Sequence, residues 1–404
     1  MMQLPFLTSA PAKVILFGEH SAVYEKHAIA TSIHSLRTYL YVTSTVDNSI
    51  TLNFPDIKLY YTWSIDSLSK IPSPSTSVDI NDTIDQQVAD KIQNLIKDSN
   101  IVNPLHVNAL FCFLYLYKCL IPNTSGLKFT MVSTSPIGAG LGSSAAVSVA
   151  LSYAMLQLTN QQVEKDLINK WAFIGEKCIH GNPSGVDNLV STYGGAILYK
   201  KGTEAKLLDL SNNPLQILLT HTKVPRSTKV LVSNVRKLYE TYPDIITPIL
   251  DSMDSIACKA SEILIQKEPD LQPLVPLINI NQGLLQSLGV SHETISKICL
   301  LSEQLNIGPT KLTGAGGGGC TLTLIQDPTN LQKFIETLTD VYGFDRIETQ
   351  LGGDGCLLVS NDDLNDNAIK QLDNLFKDLG SKKIERDTID SLLLPGPNQK
   401  LPWK

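Results

Sequence analysis

The stretch Pro136–Ala146, PIGAGLGSSAA, constrains this chain more than any other. Before it, Leu127–Val132 alternates apolar with polar residues and predicts a strand. After it, Ser143–Leu158 carries almost no charge and is apolar nearly all round, which predicts a buried helix. A glycine loop therefore joins a strand to a helix N-terminus. Gly138, Gly140 and Gly142 permit backbone angles closed to other residues and let a ligand approach the main chain. Ser143 and Ser144 fall where a helix has unpaired N–H donors and the positive end of its dipole. This combination suits an anion, phosphate above all. The residues leave a second reading open, a plain glycine turn ahead of a core helix. The loop is not a P-loop, since no lysine follows Gly142, and its GxGxG spacing differs from the GxGxxG of dinucleotide sites.

A chain of 404 residues has room for two domains, and 43% hydrophobic with 18% charged residues is enough to fill their cores. The net charge of −6 argues against a broad nucleic-acid footprint, so anionic ligands must be met by local cations and helix ends. Seven cysteines, with no CxxC pair and mostly apolar neighbours, read as reduced thiols of a cytoplasmic protein. MMQLPFLTSA lacks the basic and apolar regions of a signal peptide. Ala109–Tyr117 is too short for a bilayer, which needs about 20 residues, and reads as core helix.

In chain order, Val14–Phe17 predicts a strand reached through a proline turn and ended at Gly18-Glu19-His20. Ala28–Ser35 and Arg37–Thr45 follow as extended segments, and Ile50–Phe54 with Leu59–Trp63 as a hairpin. Ser64–Asp85, rich in serine, proline and aspartate, predicts a mobile surface loop. Helices are expected at Ile84–Ile96, Pro104–Leu120 and Val163–Ile179, then a short strand at Ala196–Tyr199. The second half predicts strands at Leu215–Thr220, Thr321–Ile325 and Cys356–Ser360. Its helices are expected at Ser227–Glu240, Leu271–Leu288, Glu293–Leu305 and Asn330–Tyr342. Strands and helices alternating on an antiparallel or mixed sheet imply an α+β fold. The tail Leu392–Trp403 is leucine- and proline-rich and is expected to dock back.

Four places could carry chemistry. Lys13 stands beside a strand among apolar residues, as a surface lysine or as a cation aimed at phosphate. Glu176 lies on a partly apolar helix face, where a carboxylate needs a partner or a metal unless it reaches solvent. Asp187 lies in HGNPSGVDN, as a functional loop residue or as the cap of a short helix. The glycine run Gly314–Gly319 leads straight into an apolar strand, which favours close backbone approach to a ligand over a linker. No HExxH and no zinc-type histidine spacing occurs.

SAPAKVILFGEH, PIGAGLGSSAA and KLTGAGGGGC together resemble the three motifs of the GHMP small-molecule kinases. GEKCIHGNPSGVDN and KVPRSTK narrow the resemblance to the branch that phosphorylates mevalonate, in its eukaryotic, fungal-looking form. It implies an N-terminal ATP-binding domain, residues 1–205, of the ribosomal-protein type with a left-handed βαβ unit. A C-terminal ferredoxin-like domain, residues 206–404, would follow, with the active site between them. It implies Mg2+-dependent transfer from ATP to the primary hydroxyl of (R)-mevalonate, feedback inhibition by isoprenoid diphosphates, a homodimer, and neither nucleic-acid nor membrane partners.

By motif, Asp187 matches the catalytic aspartate, 187 − 176 = 11 positions after Glu176, and Lys13 the lysine between it and the transferred phosphate. Ser144 and Glu176 match the magnesium ligands. Gly138, Ala139, Gly140, Leu141, Gly142, Ser143 and Ser144 match the triphosphate loop, with Ser133 an upstream nucleotide contact. Glu19, His20 and Thr228 match substrate-side positions, and Lys13, His20 and Arg226 are cationic candidates for the mevalonate carboxylate. Two departures are Asp56, where the family has an asparagine, and Ala12, where it usually has glycine.

Overall fold

Two β-rich layers grow out of one long strand pair. The computed structural model describes residues 2–74, 84–136, 139–159, 163–210, 214–266, 269–377, 384–394 and 401–404. The strands are β1 (Phe6–Phe17), β2 (Ala28–Ser44), β3 (Ser49–Phe54), β4 (Leu59–Ser64), β5 (Leu127–Ser133), β6 (Ala196–Tyr199), β7 (Lys206–Leu208), β8 (Leu215–His221), β9 (Thr310–Thr313), β10 (Cys320–Leu324), β11 (Asp345–Leu351) and β12 (Leu357–Val359). The helices are α1 (Ile65–Ser69), α2 (Gln86–Asp98), α3 (Pro104–Leu120), α4 (Ser143–Gln157), α5 (Lys165–His180), α6 (Val186–Tyr193), α7 (Thr228–Thr241), α8 (Pro243–Leu264), α9 (Leu274–Ser287), α10 (Glu293–Gln304), α11 (Leu331–Glu336), α12 (Asp366–Lys377) and α13 (Arg386–Leu393).

β1 does not turn at its proline. The strand runs through Pro11, and its register against β2 shifts between Pro11 and Lys13. A bulge tolerates a residue without an N–H, and β12 on the other side pairs only with Leu7–Ser9, so no ladder bond is lost there. The two extended segments expected around Leu36 form one strand, β2, which pairs with β1, β5 and β6. At Ile33 it also meets Leu351 of β11, which joins the first sheet to the second, ordered β11-β8-β10-β9. β3 and β5 run parallel, linked by a crossover through β4 and α1–α3, whereas the other named strand pairs are antiparallel.

α3 and α4 are apolar nearly all round because both are enclosed against the first sheet, in a core that includes Phe113, Leu116, Phe129 and Val149. A second core is shared between the layers. Val14, Leu16 and Ile33 of the first pack with Ile217, Leu219 and Leu322 of the second and with Ala257 and Ala260 of α8. The short segment Ile65–Ser69 of the expected surface loop is helical, and residues 75–83 lie outside the described residues. Beyond β11 the chain leaves the second sheet. β12 pairs with β1, and α12, α13, Leu401 and Trp403 cover Leu7, Tyr39 and Tyr41 of the first. The expected tail docking is therefore present, and the segment counted with the C-terminal domain closes the N-terminal sheet.

Candidate active site

The glycine loop is fastened at both ends and open between. Lys13 N–H on β1 donates to Leu141 O at 2.8 Å, and Ala139 and Leu141 are buried in the shared core. Gly142, at φ 71°, precedes α4, and no side chain caps the helix's first N–H groups. An added Cβ there would lie 2.7 Å from Lys13 Cγ, so only glycine lets the lysine stem pass. Gly138 lies outside the described residues.

Lys13 Nζ is 3.0 Å from Asp187 Oδ1. Asp187 is not in a loop but in the first turn of α6, whose N-cap is Gly185. The loop ends at Gly185, three residues before the end of HGNPSGVDN, because Gly185 takes the left-handed conformation that starts the helix. Asp187 is about one-third exposed, whereas Lys13 is nearly covered.

Glu176 projects from α5 towards the start of α4. Its Oε2 accepts from Ser144 Oγ at 3.4 Å and its Oε1 from Ser148 Oγ at 3.4 Å. It is 3% exposed and has no ion-pair partner among the described residues. Burial, and secondarily the Asp187 charge, push its carboxyl up to about 7, against the two hydroxyls and the more distant Lys13 charge. A buried carboxylate facing only hydroxyls fits a hard cation, and the oxygen-only pair with Ser144 fits magnesium. His180 Nε2 lies 2.9 Å from Ser144 Oγ, a contact the sequence reading missed. Its position four residues after Glu176 on the same helix was the available signal.

The second glycine run closes the opposite side. Thr313 Oγ1 donates to Ile15 O at 2.9 Å, tying β9 to β1. Arg226 reaches both loops, donating from Nη2 to Ala139 O at 2.7 Å and from Nη1 to Gly318 O at 3.5 Å. Its guanidinium fills the place of a Gly319 side chain, with Nη1 1.6 Å from where a Cβ would be. Thr228 is exposed at the start of α7, two residues beyond Arg226.

Of the other expected substrate residues, His20 faces the glycine run and Glu19 does not. His20 Nε2 contacts Ala315 O at 2.9 Å, with φ 64° and Nδ1 unpartnered among the described residues. Burial lowers its pKa, so the ring is neutral at physiological pH. Glu19, expected on the substrate side, has a wholly buried side chain that is ion-paired to Lys311 and within 3.3 Å of Asn281 Nδ2. Lys311 sits 292 positions away in sequence, and nothing local in either segment marks the pairing. Asp56 is exposed and accepts from Ser133 N–H at 2.6 Å, which ties Ser133 to the turn after β3.

Residues 107–195 match the GHMP kinases N-terminal domain and residues 261–343 the GHMP kinases C-terminal family. A mevalonate kinase of Saccharomyces cerevisiae is 43% identical, with 100% of both chains covered. The Homo sapiens mevalonate kinase is 36% identical over 93% of this chain and 100% of its own. Among solved structures, that of L. major mevalonate kinase in complex with R-mevalonate superposes with a TM-score of 0.65 at 23% identity, covering 86% of this chain and 96% of that one.

Proposed function

The chain belongs to the mevalonate kinases of the GHMP family, and on that premise we propose how its residues divide the work of moving a phosphoryl group from ATP to mevalonate. The observation that carries the reading is the Lys13–Asp187 pair, 3.0 Å apart beside an uncapped helix N-terminus. Asp187 accepts the proton of the attacking primary hydroxyl of (R)-mevalonate, giving 5-phosphomevalonate. The Lys13 ammonium draws the developing negative charge towards the same point. Partial exposure of Asp187 lets the proton pass on to solvent.

Phosphoryl transfer runs through a loose transition state with charge on the phosphate oxygens, so the protein's main work is placement and neutralisation. The loop from Gly138 to Ser144 and the free N–H groups of α4 hold the triphosphate, with Ser133 upstream. Ser144 Oγ and Glu176 would hold a magnesium ion, which would supply positive charge to those oxygens. His20 and Thr228 line the acceptor side. Glu19 positions His20 from behind rather than touching substrate. Residues 1–205 and 206–404 are the two functional units, with the segment from β12 returning to the first.

Homodimerisation, a cytoplasmic setting and a sterol-forming pathway belong to the same reading by family habit. All seven cysteines are unpaired, which accords with a reducing compartment. Among the described residues no helix is long and apolar enough to cross a membrane.

The test is ADP release by the purified chain with Mg-ATP, with and without (R)-mevalonate, galactose, homoserine or phosphomevalonate. Release dependent on mevalonate alone is expected. Release with a different acceptor overturns the substrate, and ATP binding without release under any acceptor overturns the catalytic roles.

A further inference from the structure

A second cluster of chemically capable side chains lies away from the glycine loops, where the start of β2 meets α8. Asp254 and Cys258 are one turn apart on α8 and share a face. His27 comes from the segment just before β2. Its Nδ1 is 2.9 Å from Asp254 Oδ1 and 3.3 Å from Cys258 Sγ, and its backbone N–H also donates to Asp254 Oδ1. The three ligand atoms lie within 4.8 Å of one another, and all three residues are half-buried.

The hydrogen-bond pattern at this point conflicts with itself. In a neutral imidazole, Nδ1 carries either a proton or a lone pair. With the proton it satisfies Asp254 and leaves the Cys258 thiol without an acceptor there. With the lone pair it accepts from the thiol and faces the carboxylate oxygen lone pair to lone pair. In either tautomer Nδ1 serves only one of its two neighbours, and the other must turn to solvent. A cation between the three atoms serves all of them, because each then offers only a lone pair.

We propose that His27 Nδ1, Asp254 Oδ and Cys258 Sγ form a binding site for a zinc-type divalent cation, with a solvent water as fourth ligand. A tetrahedral ion with bonds of about 2.0 Å to N and O and 2.3 Å to S sets ligand edges of roughly 3.3 Å for N···O and 3.5 Å for N···S. The observed 2.9 and 3.3 Å need only a few tenths of an ångström of spreading. A mixed N, O and S donor set suits zinc and not magnesium, so the site does not compete for the nucleotide's ion. Thiolate and carboxylate together balance the divalent charge. The adjacent cations Lys26 and Lys259 are already paired, with Asp251 and Glu262, and Lys200 is the further cation bearing on Asp254. Because α8 contributes Ala257 and Ala260 to the shared core, a bound ion would tie the second layer to the segment that follows His20.

The test uses the full chain, free of any affinity tag and stripped of metal. Cobalt(II) is the spectroscopic probe and zinc the thermal one. Wild type should show a thiolate-to-cobalt charge-transfer band in the near ultraviolet, and zinc should raise its Tm. Cys258→Ser should abolish the band, and His27→Ala should weaken cobalt binding at least about tenfold. Neither substitution should change ADP release in the absence of zinc, since neither residue touches the catalytic cleft. No band in wild type, a band that survives Cys258→Ser, or a zinc-induced Tm shift equal in all three proteins overturns the proposal.

Discussion

Two lysine–carboxylate pairs flank β1 and are chemically the same. Lys13 and Asp187 meet beside the start of α4, with the aspartate side chain 35% exposed. Lys311 and Glu19 meet where both side chains are 0% exposed, with Leu312 O and Asn281 Nδ2 completing their hydrogen bonds. In the proposed mechanism the first pair exchanges a proton with a bound alcohol and with water. The second cannot, and breaking it would leave a charge stranded in the interior. Burial, not residue type, separates the pair proposed as catalytic from the structural one.

The comparison makes its sharpest claim for Asp187→Asn. Turnover should fall by about 10²–10⁴-fold while ATP binding and Tm stay near wild type, and near-normal turnover would sink the catalytic role. Glu19→Gln should do the reverse, costing about 3–5 kcal/mol in denaturant unfolding through the stranded Lys311 cation. If stability instead held and only the KM for mevalonate rose, Glu19 would be a substrate contact after all.

Glu176 stands between the two extremes, buried but facing the proposed cation site. Its folded-state pKa, about 7, lies above the unfolded value of 4.5. The folded state therefore binds the extra proton, and stability is lost as pH rises from 4.5 to about 7. Without magnesium, Glu176→Gln should raise stability above pH 7 by on the order of 3 kcal/mol and leave it unchanged below pH 4.5, while activity collapses. The magnesium concentration for half-maximal rate should climb as pH falls below 7 in wild type, and a flat profile would contradict Glu176 as a ligand. Smallest is Gly142→Ala, which forces a Cβ against the Lys13 stem at positive φ and should cost about 1–3 kcal/mol, with a raised KM for ATP.

Much of the site was legible because it is local. The loop from Pro136, the carboxylate on an apolar helix face and the glycine run before β10 each carry their meaning within a dozen residues. What escaped was long-range or poorly patterned. Lys311 looked like the head of a glycine loop, yet Thr310–Thr313 is strand because β10 pairs with it. α8, the longest helix described, has no counterpart among the expected elements; Pro243 opens it where a missing N–H costs no bond, while Pro248 lies inside it. β11, α12 and α13 were also missed, being short or strongly polar segments whose apolar residues find partners only across the fold.

The return of β12 to β1 bears on how the chain is made. Leu7, Tyr39 and Tyr41 are covered by Val359, Leu372, Ile389 and Leu393. During synthesis these early residues must wait for a segment translated hundreds of codons later, so the first sheet cannot be sealed on the ribosome until most of the polypeptide has emerged. Until then its apolar face stays exposed, the condition in which an incompletely folded chain is prone to aggregate.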